Sequence, residues 1–175
     1  MTQLLEGNCS ASSHRFAVVV ADFNSDITGA LLEGSLHTFR TFGLSEDAIT
    51  VVRVPGAFEI PLACDRLASS GNYAGVIALG AVIRGDTPHF DYVAGECARG
   101  VMDCMMRHSI PVVFGVLTTD TLLQAKLRSS LEVLAAPLQP GDQAKGRVEK
   151  TTSESNKGAE VTEVVLQMSN LLEQL

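Results

Sequence analysis

The chain has 175 residues, of which 46% are hydrophobic and 19% charged, and its net charge is −7. That is enough apolar material for one domain with a sizeable core, and it excludes global disorder. The acidic balance argues against a nucleic-acid groove or an anionic membrane surface as partner, and no apolar segment is long enough to cross a bilayer.

The chain opens MTQLLEGNCSASSHR, with no basic start followed by an apolar run. No signal peptide is expected, and the cytoplasm is the expected compartment. Phe16–Ala21, FAVVVA, is a short continuous apolar run ending at Asp22, which predicts a buried strand. Ser25 or Asp26 then offers a helix N-cap, and Ile27, Leu31, Leu32, Leu36 and Phe39 keep helical spacing until Gly43. Residues 48–54 predict a second strand, broken by Pro55-Gly56. A helix over 57–71 follows, with Pro61 near its start, where a missing N–H is tolerated. Residues 75–83 predict a third strand, 91–108 a helix and 111–117 a fourth strand. Thr118-Thr119-Asp120 offers a cap for a helix over TLLQAKLRSSLEVLA, and a final helix is expected from about 159 to 172. Between these last two, Pro137 to Gly158 is polar, rich in Gly and Pro, and without apolar periodicity, which predicts an inserted loop at about 136–157.

Strand and helix thus alternate four times within a single domain over 1–175. This predicts an α/β fold: a three-layer sandwich with a four-stranded parallel sheet in flavodoxin-like order. Ligands of such sheets sit beyond the carboxyl ends of the strands, which selects the loops at 22–24, 55–59, 84–91 and 114–119.

Those loops carry Phe23, Phe58, Phe90 and Phe114, and converging aromatic faces suit a flat heterocycle. His89 is the only histidine at a strand exit and can exchange protons near neutrality. Gly85 before a helix start lets backbone N–H groups turn toward an anion, and Thr87 adds a hydroxyl. Asp86 suits phosphate only with its carboxylate turned away. Arg128 could supply a guanidinium, and Glu59 could accept from an amide or polyol. Dinucleotide, P-loop and nucleophile-elbow motifs are missing. Cys9, Cys64, Cys97 and Cys104 form no CxxC pair and stand at no zinc-module spacing from a histidine, so neither metal nor other cofactor is expected. The last three cysteines fall in apolar helical patterns and read as structural thiols. A receiver-type binding module is disfavoured, because the third strand ends in Ile83-Arg84 where a receiver needs an aspartate.

ADFNSDIT (21–28), VPGAFEIPLA (54–63), LGAVIRGDTPHFDYV (79–93), PVVFGVLTTDTLLQAKLR (111–128) and SNKGAEVTEVVLQMSNL (155–171) together resemble the lumazine synthase family, in order and over nearly the whole chain. The resemblance implies condensation of 5-amino-6-(D-ribitylamino)uracil with 3,4-dihydroxy-2-butanone 4-phosphate, with neither metal nor redox cofactor. It implies that Phe23 stacks on the pyrimidine. Ala57, Phe58 and Glu59 would hold its ring and ribityl chain, and Ala81, Val82 and Ile83 would offer backbone contacts. Gly85, Asp86, Thr87 and Arg128 would take the phosphate. His89 would move protons, and Phe114 would close the site from a neighbouring subunit. The family assembles as pentamers, some of which close into sixty-subunit shells, and its N-terminus can add an edge strand to a neighbour's sheet. Riboflavin synthase is a candidate partner.

The chain departs from the family at the stretch between Arg128 and Asn156, where the family has a short turn. The resemblance implies that an insertion there leaves pentamers, or paired pentamers, open. The alternative is a non-catalytic flavin-binding or shell-forming relative on the same fold.

Overall fold

In a computed structural model, which describes residues 2–10, 13–134 and 154–175, the four apolar runs lie side by side in one sheet. The strands are β1 (Phe16–Ala21), β2 (Ile49–Val54), β3 (Gly75–Ile83) and β4 (Val112–Thr119), all parallel, in the order β2-β1-β3-β4. This is the flavodoxin-like order with its switch point between β1 and β3. All six residues of β1 are buried, which explains why the strand reads as a continuous apolar run and not as an alternation.

The two faces carry separate cores. Phe16, Val18 and Val20 pack with Leu31 and Phe39 of α1 (Ser25–Thr41) and Leu166 of α5 (Lys157–Leu172). Ala17, Val19 and Ala21 pack with Ile60 and Cys64 of α2 (Ile60–Ala68) and Cys97 and Val101 of α3 (His89–His108). The four cysteines are free and buried, and burial pushes the thiols of Cys97 and Cys104 up to about 12 and about 11. Among the described residues no helix is long and apolar enough to cross a membrane.

Several local expectations shift. The N-cap of α1 is Asn24, not Ser25 or Asp26. It sits in the left-handed region at φ 61°, ψ 47°, and its carboxamide donates to the Ala81 carbonyl at 2.9 Å instead of capping the helix. Helix α3 starts at His89, directly after Pro88, two residues before its expected start. The fourth helix, α4, spans only Leu122–Leu127, and its cap is Thr121 in a capping box with Gln124.

The helix expected to run on past Arg128 stops there because its last carbonyls are taken by the returning chain. Ser155 N–H donates to Leu127 at 2.8 Å and Lys157 N–H to Arg128 at 2.9 Å, while Ser129 pairs with Asn156 in an antiparallel bridge. Residues 154–157, expected within the inserted loop, form this junction and the cap of α5; the rest of the expected insertion lies outside the described residues, and a short 3-10 turn, Glu132–Leu134, stands ahead of it.

Residues 2–10 form no strand in the single chain. They run along α5, where Asn170 donates to the Asn8 carbonyl at 2.7 Å and Gln174 to that of Glu6 at 2.9 Å. An edge strand needs a second sheet to pair with, and α5 offers side-chain donors instead.

Candidate functional site

A cleft of about 670 Å³ opens beyond the carboxyl ends of β1, β2 and β3. Phe23 enters from the β1 exit, which is tied to the β2 exit by its N–H donating to the Pro55 carbonyl at 3.0 Å. Left-handed Asn24 turns the chain immediately after it. Phe23 is 71% exposed and Phe58 58% exposed, so neither is a core residue. Two large aromatic faces left open at a cleft are costly unless something covers them.

Gly56, Ala57, Phe58 and Glu59 form the second wall, on the 3-10 turn that leads into α2. The Glu59 carboxylate leans back over Gly56, where a Cβ would stand 3.1 Å from its Oε2. Ala81, Val82 and Ile83 make the floor at the end of β3. Their strand neighbours on β4 are Leu117, Thr118 and Thr119.

The third wall is the loop from Arg84 into α3, which brings Gly85, Thr87 and His89 to the cleft. Arg84 organises it. Its Nε donates to Asp120 at 2.9 Å, its Nη1 to Asp91 at 3.2 Å, and its guanidinium carbon lies 4.1 Å from the centre of the Phe90 ring. The hydrogen bond to Asp120 is the larger cause that raises the Arg84 pKa above the ordinary guanidinium value, with Asp91 adding to it. Helix α3 begins with no side-chain cap; the Asp91 N–H donates to the Pro88 carbonyl at 3.0 Å, and the N–H groups of His89 and Phe90 precede that first bond, where an acceptor could reach them.

Gly85 does not use the freedom expected of it. Its backbone is not left-handed, and a Cβ there would meet nothing within 4 Å. What the glycine supplies is an open approach to the main chain, not a turn.

Three of the residues singled out from the sequence do not line this cleft. Asp86 is exposed beside it. Phe114 lies in β4, opposite Ala78 of β3, half-buried against the core that α2 and α3 cover. Arg128 ends α4 and lies close enough to Lys157 that its charge helps burial to lower the Lys157 pKa. Tyr92 and Val93 do line the cleft and were not singled out. Their signal was helical spacing, since they fall one turn after His89 on the same helix.

A covered parallel sheet with an aromatic and polar cleft at its carboxyl ends, beside a helix start without a side-chain cap, defines an α/β protein of the small-molecule-binding class. The sequence profile of the 6,7-dimethyl-8-ribityllumazine synthase family matches residues 13–173, and the chain belongs to that family. It is therefore a transferase of riboflavin biosynthesis, from a family that acts on small molecules and works as oligomers.

Proposed function

We propose that the chain condenses 5-amino-6-(D-ribitylamino)uracil with 3,4-dihydroxy-2-butanone 4-phosphate to give 6,7-dimethyl-8-ribityllumazine, releasing phosphate and water. The observation that carries this reading is the meeting of His89 with Gly85 and Thr87 across one cleft from Phe23, Phe58 and Glu59. An aromatic platform, a carboxylate acceptor, a proton carrier and exposed amides then face one volume.

In this reading Phe23 stacks on the pyrimidine, and Ala57, Phe58, Glu59 and the main chain of Ala81–Ile83 hold the ring and ribityl chain. The substrate amine attacks the ketone and an imine forms with loss of water. His89 carries protons through that step and through departure of phosphate. The amides at Gly85, Asp86 and Thr87 receive the phosphate oxygens, and main-chain donation lets the exposed Asp86 carboxylate point away. The ribitylamino nitrogen then attacks the remaining carbonyl, and loss of a second water closes the ring to the product. Most of the acceleration comes from holding two reactants together, because the chemistry needs only proton transfers.

Phe114 and Arg128 stand outside the cleft of their own chain, which supports a site completed by an adjacent subunit. The assembly proposed is a homopentamer, with the N-terminal segment free to leave α5 for a neighbour's sheet. The compartment proposed is the cytoplasm, and riboflavin synthase, which consumes the product, is the candidate protein partner. Mixing the two substrates with the protein and following lumazine absorbance and fluorescence tests the reading. Product formation supports it; tight binding of lumazine or flavin without turnover would favour the non-catalytic alternative.

A further inference from the structure

At the far end of α3 from His89, a second cluster of chemically active side chains lies between α3 and α2. Cys104 and His108 are one helical turn apart on α3, and Asp65 faces them from α2. One ligand atom from each, the Cys104 thiol, a His108 ring nitrogen and an Asp65 carboxylate oxygen, lies within 4.8 Å of the other two. With 19 helical steps between His89 and His108, this cluster sits roughly 28 Å along the helix from the proton carrier.

We propose that Cys104, His108 and Asp65 form a binding site for a zinc-class divalent cation. Thiolate, imidazole and carboxylate are the donor set that zinc selects over magnesium or calcium. Residues four apart on a helix point the same way, so Cys104 and His108 chelate without backbone movement. Linear spacing rules written for zinc modules pass over this pair, which is why the sequence pointed to no metal site. Metal–ligand bonds are about 2.0–2.3 Å, so donors this close need only side-chain rotation to converge on one ion.

Cys104 is 1% exposed, whereas the side chains of His108 and Asp65 are 18% and 30% exposed. The site is thus closed on its thiol side and open on the other, where water completes four-coordination. The metal displaces the thiol proton to solvent; no redox change is involved.

His108 Nε2 and Asp65 Oδ1 are 2.9 Å apart, and Arg107 Nη1 donates to the same oxygen at 2.6 Å. Those two partners, His108 first, hold the Asp65 carboxyl below its usual range. Burial pushes the Cys104 thiol up to about 11, so the metal must supply the driving force for its ionisation. The Cys64 thiol lies close enough to be coupled to Cys104. Arg107 is the competing cation, and its side chain, 61% exposed, is free to swing into water.

The test is titration of the intact protein with cobalt(II), then displacement by zinc(II). A thiolate-to-cobalt charge-transfer band saturating at one ion per chain is expected. Cys104→Ser should abolish the band and weaken zinc binding by at least the roughly tenfold that even an outer-shell change costs. His108→Gln should do the same, and it serves if Cys104→Ser fails to fold by circular dichroism. Arg107→Ala should tighten binding by removing the competitor for Asp65. A missing thiolate band, a band that survives Cys104→Ser, or unchanged zinc affinity in Arg107→Ala would overturn the assignment.

Discussion

Asn156 donates its carboxamide N–H to the Ala30 carbonyl at 3.1 Å, fastening the start of α5 to the middle of α1. The same nitrogen donates to the Ser130 carbonyl at 3.3 Å, and the oxygen accepts from the Ala159 N–H at 3.1 Å. At 2% exposure this one amide caps a helix and joins three segments. Asn156→Ala removes the cap and leaves two carbonyls without their donor. The expected cost is about 2 kcal/mol or more. A lower urea midpoint at unchanged m value checks it.

Close approach of the same two helices makes a second prediction. A Cβ on Gly158 would stand 1.9 Å from the Leu31 carbonyl oxygen, so α5 has no room there for a side chain. Nearby, the Ser35 and Thr162 hydroxyls share a buried hydrogen bond at 2.7 Å, which needs the helices this near. Gly158→Ala must push them apart and should destabilise by about 1–3 kcal/mol or more. Thermal denaturation reads the shift, and a melting temperature equal to the parent's would refute the packing argument.

These contacts mark what could be read in advance. The strands were legible because burial on both faces leaves runs such as FAVVVA and GVIALGAVI, and β1 and β3 came out at their expected bounds. Much of the cleft was legible because parallel strands end together. Phe23, Ala57–Glu59, Ala81–Ile83, Gly85, Thr87 and His89 do meet. The end of α4 was not, because Arg128 and Leu127 give their carbonyls to residues 155 and 157, partners that no local window contains. Asn24 escaped as a cap because its side chain serves Ala81, a contact across the sheet.

His89 is the proton carrier of the proposed reaction, on a cleft wall where its ring is exposed at the first turn of α3. General acid–base groups contribute about 10²–10⁴-fold, and here the low end is expected because proximity does most of the work. His89→Ala should therefore slow turnover about a hundredfold without abolishing it. Single-turnover rates separate this from slow product release. An unchanged rate would remove His89 from the mechanism.

Arg128 makes a different kind of contribution. It is exposed at the end of α4, next to Lys157 and away from its own chain's cleft. If it meets the phosphate of a substrate held by the adjacent subunit, its loss should act on one substrate only. Charged hydrogen bonds are worth about 1.5–3 kcal/mol, so Arg128→Ala should raise KM for the butanone phosphate about tenfold or more. KM for the aminouracil should stay near the parent value. Equal loss for both substrates would contradict the assignment.

The stretch between Arg128 and Asn156 bears on assembly. Its two ends are held together by the Ser129–Asn156 bridge and by Ser130 N–H donating to the Ser155 carbonyl at 3.1 Å. The junction is therefore complete without the residues in between, and replacing 136–152 by a short flexible linker should leave the melting temperature nearly unchanged. Closing a shorter loop lowers the entropic cost only slowly with length. The proposed assembly is a homopentamer that an insertion at this turn keeps open. Mass photometry of the parent should then find pentamers or paired pentamers, and a sixty-subunit species would refute this. The shortened variant is the informative comparison, because appearance of shells only after shortening would assign the inserted segment the role of keeping the assembly open.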